Sequence, residues 1–265
     1  MRGRQFLGRA CGRVPAGLKT VEPEEYAVMF GAEERHWWYR GMERITRALL
    51  DRWYAPGADL RILDAGCGTG GAMTSYLARY GRVTGVDLAR QALAFCRRRG
   101  AERLVCASVM QLPFRAGSFD LVTSFDVLYE QGVPDDLAAL QEFARVLAGG
   151  GRVLLRLPAY DWLRGRHDRA VHTRRRYTRG RIASRLAQAG FQIEHLSYAN
   201  TFLFPIALAK RLPERIRPRA GPSDLALPVG PFDGLLAAIL SAEAPLVARR
   251  CLPFGLTVVA AGRKP

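Results

Sequence analysis

"LDAGCGTGG", residues 63–71, decides the fold of this 265-residue chain. It closes a short apolar run, "LRILD" (60–64), and opens a stretch in which Met73, Leu77 and Tyr80 share one helical face. Glycines packed where a strand meets a helix let backbone N–H groups approach a ligand, and the helix N-terminus favours a negative group there. Read alone, Gly66, Gly68 and Gly71 satisfy the dinucleotide pattern GxGxxG, with Asp87 where a ribose-binding acid belongs. Asp64, directly before the loop, argues against a pyrophosphate. It suits a ligand that carries both a cationic centre and a carboxylate.

Outward from the loop the chain alternates strand and helix. "RVTGVD" (82–87) again ends on an acid, and Ala92, Phe95 and Cys96 mark the next helix. "RLVC" (103–106), "FDLVTSF" (119–125) and "GRVLLRLP" (151–158) are three further strands. Leu140, Phe143, Ala144 and Leu147 form a helical stripe expected to stop at Gly149-Gly150-Gly151. Thr178 is placed to cap a helix burying Ile182, Leu186 and Ala189. "FQIEHLSY" (191–198) and "FGLTVVAAG" (254–262) complete seven strands. This rhythm predicts an α/β, doubly wound, seven-stranded, mostly parallel sheet with a helical insertion between the last two strands. The expected organisation is a basic flexible lead-in over 1–24 and a single domain over 25–265. Residues 199–252 are read as a lid-like or appended helical insertion, with a helix predicted over 232–248.

Several motifs in order resemble the class I S-adenosylmethionine-dependent methyltransferases, and more narrowly their small-molecule branch. "LDAGCGTG" is similar to the first motif and "VTGVDLA" to the second. "LPFRAGSFDLVTSFDVLY" resembles the third and fourth, and "ALQEFARVLAGGGRVLL" the unit that follows. The resemblance spans roughly 33–200 and implies a Rossmann-like fold with S-adenosyl-L-methionine as cofactor and S-adenosyl-L-homocysteine as product. It implies that Gly66, Cys67, Gly68 and Gly70 cradle the methionyl part, that Asp64 meets its ammonium, and that Asp87 accepts both ribose hydroxyls. Leu88 would pack on the adenine, with Val109, Met110 and Phe125 around the nucleoside. The family's usual Asp before Leu-Pro-Phe is Ser108 here, which removes one adenine contact that backbone at Val109 could replace. A leading helix covers the cofactor in related enzymes, so Tyr39 of "HWWYRG" (36–41) is a candidate lid residue, while Trp37 and Trp38 read as packing.

On the acceptor side, the break after the fifth strand, "HDRAVHTRRRYTRGR" (167–181), holds two histidines, a tyrosine and six arginines. His167 and His172 are candidate general bases for a hydroxyl or amine acceptor; solvated histidines are the plain alternative. Asp126 and Tyr177 are candidate acceptor-side residues. His195, within a strand, reads as structural. The segment as a whole reads as a substrate-side wall with a preference for an anionic group, or as a solvated face.

The formal charge of +16 suits nucleic acid, anionic membrane or phosphorylated ligands, yet nearly all of it is arginine, with Lys19, Lys210 and Lys264 the only lysines. No RNA-binding module accompanies the core, so a nucleic-acid methyltransferase ranks second to one acting on a small or lipid-like molecule. A nicotinamide oxidoreductase is disfavoured by Asp64. An enzyme of this fold that uses the cofactor without transferring methyl, or a non-catalytic scaffold, stays open because fold does not fix reaction. The five cysteines (Cys11, Cys67, Cys96, Cys106, Cys251) form no CxxC pair, so neither a structural zinc nor a disulfide framework is expected. The expected location is the cytoplasm. The apolar "NTFLFPIALAKRL" stretch (200–212) hints at peripheral contact with the inner membrane surface, which a core helix explains equally well.

Overall fold

A computed structural model describes residues 21–165, 168, 171–209 and 230–265. Two helices lead, α1 (Pro23–Ala32) and α2 (Trp37–Leu50), and the alternation begins with β1 (Leu60–Ala65). There follow α3 (Gly71–Ser75), a 3-10 turn (Leu77–Arg79), β2 (Gly81–Asp87), α4 (Arg90–Arg98), β3 (Leu104–Cys106) and β4 (Phe119–Phe125). Then come α5 (Asp136–Val146), β5 (Leu147–Pro158), α6 (Arg179–Gln188), β6 (Gln192–Ala199), α7 (Asp233–Ala242), α8 (Ala244–Arg249) and β7 (Thr257–Arg263). Residues 204–209 are also helical. The strands form one sheet in the order β3-β2-β1-β4-β5-β7-β6, parallel except for β7, which runs antiparallel to both its neighbours. The expected fold class holds.

Both sheet faces are buried, and the period-2 alternation of the strands divides the core between them. Leu63, Val122, Val153, Leu155, Val258 and Ala260 pack on one side with Phe143 and Val146 of α5 and Ile182 and Leu186 of α6. Ile62, Leu121, Leu154, Val259 and Ala261 face the other side, against Met42, Ile45 and Leu49 of α2 and Leu240, Ala244 and Val247 of α7 and α8. The helices of the insertion therefore complete a layer with α2. Gly41 makes the crossing possible, because a Cβ there would lie 2.5 Å from Leu240.

Local signals set the element ends. Asp135 caps α5 by accepting from the N–H groups of Leu137 and Ala138, and Thr178 caps α6 through the N–H of Arg181, as expected. Three expectations shift. The helix before β5 ends at Val146 rather than at the triple glycine, and Gly149–Gly151 lie within β5, where the pairing register with β4 is irregular. The helix predicted over 232–248 is two helices, broken at Glu243 ahead of Pro245, which cannot donate to the ladder. The first helix starts at Pro23, inside the stretch read as lead-in, and Val21 is already buried. Residues 1–20 of that lead-in lie outside the described residues.

Candidate functional site

The carboxyl ends of β1, β2, β4 and β5 open on one cavity of about 630 Å³, roofed by α1, α2 and the start of α7. In an open parallel sheet this is where a ligand crevice forms, beside the point at which strand order reverses. The order reverses here at β1, with β2 on one side and β4 on the other.

The glycine loop sits at that point. Gly66, Gly68 and Gly70 all have positive φ, and at Gly66 (φ 81) a Cβ would stand 2.2 Å from Val127 Cγ2. Only glycine fits there. The N–H groups of Gly66 and Cys67 both donate to the Val86 carbonyl, at 2.7 and 2.9 Å, tying the loop to β2. Asp87, at the end of β2, accepts from Gly68 N–H and Ala89 N–H, each at 2.9 Å. Burial pushes its carboxyl up to about 6, against the pull of those backbone donors. Asp64 is 2% exposed and accepts from the Thr123 hydroxyl at 2.7 Å. Burial raises it to about 7, which the Thr123 hydrogen bond and the Arg156 charge moderate while Glu33 and Asp87 add to it.

Of the residues expected at the cofactor, Tyr39, Asp64, Gly66, Cys67, Gly68, Asp87, Leu88, Ser108, Val109 and Phe125 line the cavity. Gly70 and Met110 do not. Gly70 instead closes the loop, its N–H donating to the Cys67 carbonyl, and Met110 packs against the core with its N–H held by Ser108 Oγ at 3.2 Å. Tyr39 sits edge-on to the Trp38 ring, with centroids 5.0 Å apart, and burial raises its phenol pKa.

The acceptor-side expectations fare differently. Asp126 lines the cavity, in a left-handed backbone conformation (φ 60). Tyr177 does not: it is fully buried, and its hydroxyl donates to Asp136 Oδ2 at 2.6 Å and lies 3.1 Å from the Leu128 carbonyl. It joins α5 to the segment ahead of α6 and offers nothing to an acceptor. His172 (φ 48) also stays outside the cavity, its Nε2 2.8 Å from Glu22 Oε1, while its neighbour Val171 lines the wall. His167 lies outside the described residues. His195 is buried in β6, as a structural reading expects.

The basic segment also acquires a different meaning. Arg176 forms a two-pronged pair with the buried Asp168 at 2.8 Å and donates to the Ala159 carbonyl. Arg164 pairs with Asp161 and donates to the carbonyls of Thr173 and Arg174. Arg175 and Arg185 both reach Asp136 at 3.3 Å. These arginines hold the loop to the body of the domain.

Several wall residues carry no signal in the motifs. Glu33, at the end of α1, accepts from the Thr69 hydroxyl at 2.5 Å, from Gly71 N–H at 3.1 Å and from Arg99 at 3.1 Å, pinning the roof to the loop. Burial still raises its pKa. Glu130 faces the same space, and burial, with Asp87 and Asp126 nearby, holds its carboxyl well above the usual range. Arg156 of β5 donates from Nε to Asp126 Oδ2 at 2.6 Å. Away from the glycine loop the wall turns apolar, with Trp37, Leu203, Ile206, Phe232 and Leu236. Ile206 and Phe232 are 62% and 68% exposed, so the mouth itself is apolar.

Residues 63–155 match the methyltransferase-domain family model. Over 148 residues the chain is 32% identical to a ubiquinone biosynthesis O-methyltransferase of Nitrosococcus oceani, covering 51% of this chain and 61% of that one. Over 102 residues it is 38% identical to a demethylmenaquinone methyltransferase of Staphylococcus aureus, covering 36% and 42%. The chain thus spans about three-fifths or less of the length of these relatives. Among solved structures, geranyl diphosphate C-methyltransferase from Streptomyces coelicolor superposes with a TM-score of 0.55 at 19% identity, over 83% of this chain and 79% of that one. The [4+2]-cyclase SpnF superposes at 0.56 and 19% identity, over 94% and 97%. The match to the methyltransferase-domain model runs from the glycine loop to β5, and the fold is the one shared with these S-adenosylmethionine-dependent methyltransferase structures.

Proposed function

We propose that the protein transfers a methyl group from S-adenosylmethionine to a small, apolar, lipid-like acceptor. One observation carries the reading. Asp64, the glycine loop and Asp87 line the same cavity as the apolar side chains of Trp37, Leu203, Phe232 and Leu236. The bound cofactor would supply an electrophilic methyl on a sulfonium. The protein's share is alignment in a dry space, since in-line displacement needs nucleophile, methyl and sulfur held close and in order.

Each cofactor role follows from chemistry already on the wall. Asp64 would take the ammonium, Asp87 the ribose hydroxyls, and Leu88, Val109 and Phe125 would flank the nucleoside. Ser108, whose oxygen already accepts from Met110 N–H, keeps its hydroxyl proton for a ligand acceptor atom. Tyr39 and Trp38 of α2 would close over the methionyl end. The relatives named for ubiquinone and menaquinone act in making apolar quinones, and the structural neighbour's substrate is a prenyl diphosphate. An isoprenoid- or quinone-like acceptor would suit the apolar chamber here and its greasy mouth. A nucleic-acid acceptor has less to recommend it, because Arg164, Arg175 and Arg176 of the segment after β5 are committed to Asp161, Asp136 and Asp168. The seven carboxylates and two arginines of the cavity wall favour a neutral acceptor over an anionic one.

The test is a calorimetric titration with S-adenosylhomocysteine, beside Asp87→Ala. Charge-assisted hydrogen bonds contribute about 1.5–3 kcal/mol each, so loss of two should weaken binding by at least about a hundredfold. Equal affinity in the two proteins would put the ribose elsewhere. Binding would then justify a screen of apolar phenols and prenyl compounds with labelled donor.

A further inference from the structure

The sheet gives one buried cation an unusual position. Arg156 lies on the same face of β5 as Leu154, beneath α2, and is 8% exposed. Two rings lie against its flat guanidinium: the Trp38 and Phe125 ring centroids each stand 4.8 Å from its central carbon. Its Nε is spent on Asp126. A guanidinium has five N–H donors in one plane. The rings pack against the group and Asp126 takes its Nε, which leaves the terminal N–H groups for the cavity that Arg156 lines. Arg176, the other lining arginine among the described residues, has its Nε, Nη1 and Nη2 all bonded within the protein. Arg156 is thus the wall cation with donors to spare.

Its neighbourhood identifies what those donors would meet. Arg156 and Asp64 line the cavity from the same sheet face, the one carrying Leu154 and Ile62, with β4 between their strands, and Arg156 lies over the Trp38 ring of α2, so it shares the end of the cavity where the glycine loop and α2 meet. Glu33 is satisfied by Thr69, Gly71 and Arg99 and has no need of it. Asp64, by contrast, has only the Thr123 hydroxyl on Oδ1. A carboxylate with spare acceptors on the same cavity wall as a guanidinium with spare donors is the complement of an α-amino acid head group, one ammonium and one carboxylate on a single carbon. Guanidinium suits the second because its fork matches a carboxylate two-pronged.

Resting on the cofactor reading above, we propose that Arg156 binds the methionyl carboxylate of S-adenosylmethionine while Asp64 binds the adjacent ammonium, with Trp38 and Phe125 holding the guanidinium in plane. Asp126 then serves as the positioning residue that fixes the arginine's orientation. The same donors could instead take a carboxylate on the acceptor, and the experiment separates the two sources.

Calorimetry with S-adenosylmethionine and its decarboxylated analogue, on wild type and Arg156→Met, forms a closed cycle. The analogue keeps the sulfonium and the amine and lacks only the carboxylate. Wild type should bind S-adenosylmethionine about thirtyfold tighter than the analogue, which is about 2 kcal/mol. In Arg156→Met that gap should shrink to about threefold, with the analogue binding both proteins alike. A gap of equal size in both proteins would assign the arginine to the acceptor and overturn the proposal. Absence of a gap in wild type would overturn it without any variant. If Arg156→Met leaves Asp126 unpaired and does not fold, Arg156→Lys keeps a cation there but loses the fork; its gap should fall to about tenfold, and an undiminished gap would again refute the assignment. Wild type that binds neither donor would remove the cofactor reading itself, and this proposal with it.

Discussion

Cofactor affinity should depend on pH through Asp64. Burial holds its carboxyl at about 7 in the empty site, far above its ordinary 3.8. An ammonium placed against it would stabilise the ionised form and return the pKa toward the usual range, so binding competes with a proton. With a site pKa of about 7, the protein is about 90% protonated at this position at pH 6 and about 25% at pH 7.5. The apparent dissociation constant for S-adenosylhomocysteine should therefore rise about eightfold from pH 7.5 to pH 6. Asp87, at about 6, adds about another twofold over the same interval. Wild type should then weaken by about sixteenfold and Asp64→Asn, weaker throughout, by only about twofold. Repeating the titrations at pH 7 in two buffers of different ionisation enthalpy should reveal release of about half a proton in wild type and almost none in Asp64→Asn. Stability runs the opposite way. A folded-state pKa above the unfolded one gives a contribution present at low pH and lost as pH rises through about 7, so the unliganded protein gains from this group on acidification. An affinity flat from pH 6 to 7.5, with no buffer dependence, would falsify the placing of the ammonium at Asp64.

The other substitutions separate scaffold from site. Tyr177→Phe removes the hydroxyl that reaches Asp136 and Leu128, and should lower stability by about 1–3 kcal/mol with S-adenosylhomocysteine affinity unchanged. Lost turnover at full thermal stability would restore Tyr177 to the acceptor side. Gly66→Ala meets both a positive φ and Val127 Cγ2 at 2.2 Å, and should abolish cofactor binding. Adding Val127→Ala removes the clash but not the backbone strain of about 1–2 kcal/mol, so binding should return in part. Complete recovery would mean that the left-handed conformation at Gly66 is dispensable.

The fold was legible because each strand carries its own evidence. Apolar runs that end in Asp64 and Asp87, with a glycine loop after the first, state both the strand and the end of the sheet at which a ligand sits. The wall proposed for the cofactor was legible as one group of cavity-lining residues for the same reason: most of them follow strand ends, where position in sequence fixes position in space. The acceptor side was not. Tyr177 and His172 were singled out because they stand in an arginine-rich segment after β5, but the segment is held in place by Asp161, Asp168 and Asp136, and the last of these lies some forty residues earlier in the chain. Partners that distant leave no local pattern. Arg156 did leave one, a charge inside the apolar run "VLLRLP" (153–158). A buried strand seldom carries an unpaired cation, so that interruption pointed to a partner or a ligand.

The net charge of +16 is not gathered at the cavity. Had the positive charge been directed at a ligand in the cavity, arginines would line its wall. Instead the wall carries Glu33, Asp64, Asp87, Asp126, Glu130 and Asp233 among its carboxylates, against Arg156 and Arg176. Arg99, Arg152 and Arg175 pair with acids on other elements, Glu33, Glu194 and Asp136, while Arg145 pairs within α5 and Arg164 and Arg176 within the segment after β5. An acidic pocket in a basic protein is the field that a sulfonium with an attached ammonium would seek. Losing the methyl removes the sulfonium charge, so the product would leave that field less strongly held than the donor that entered it.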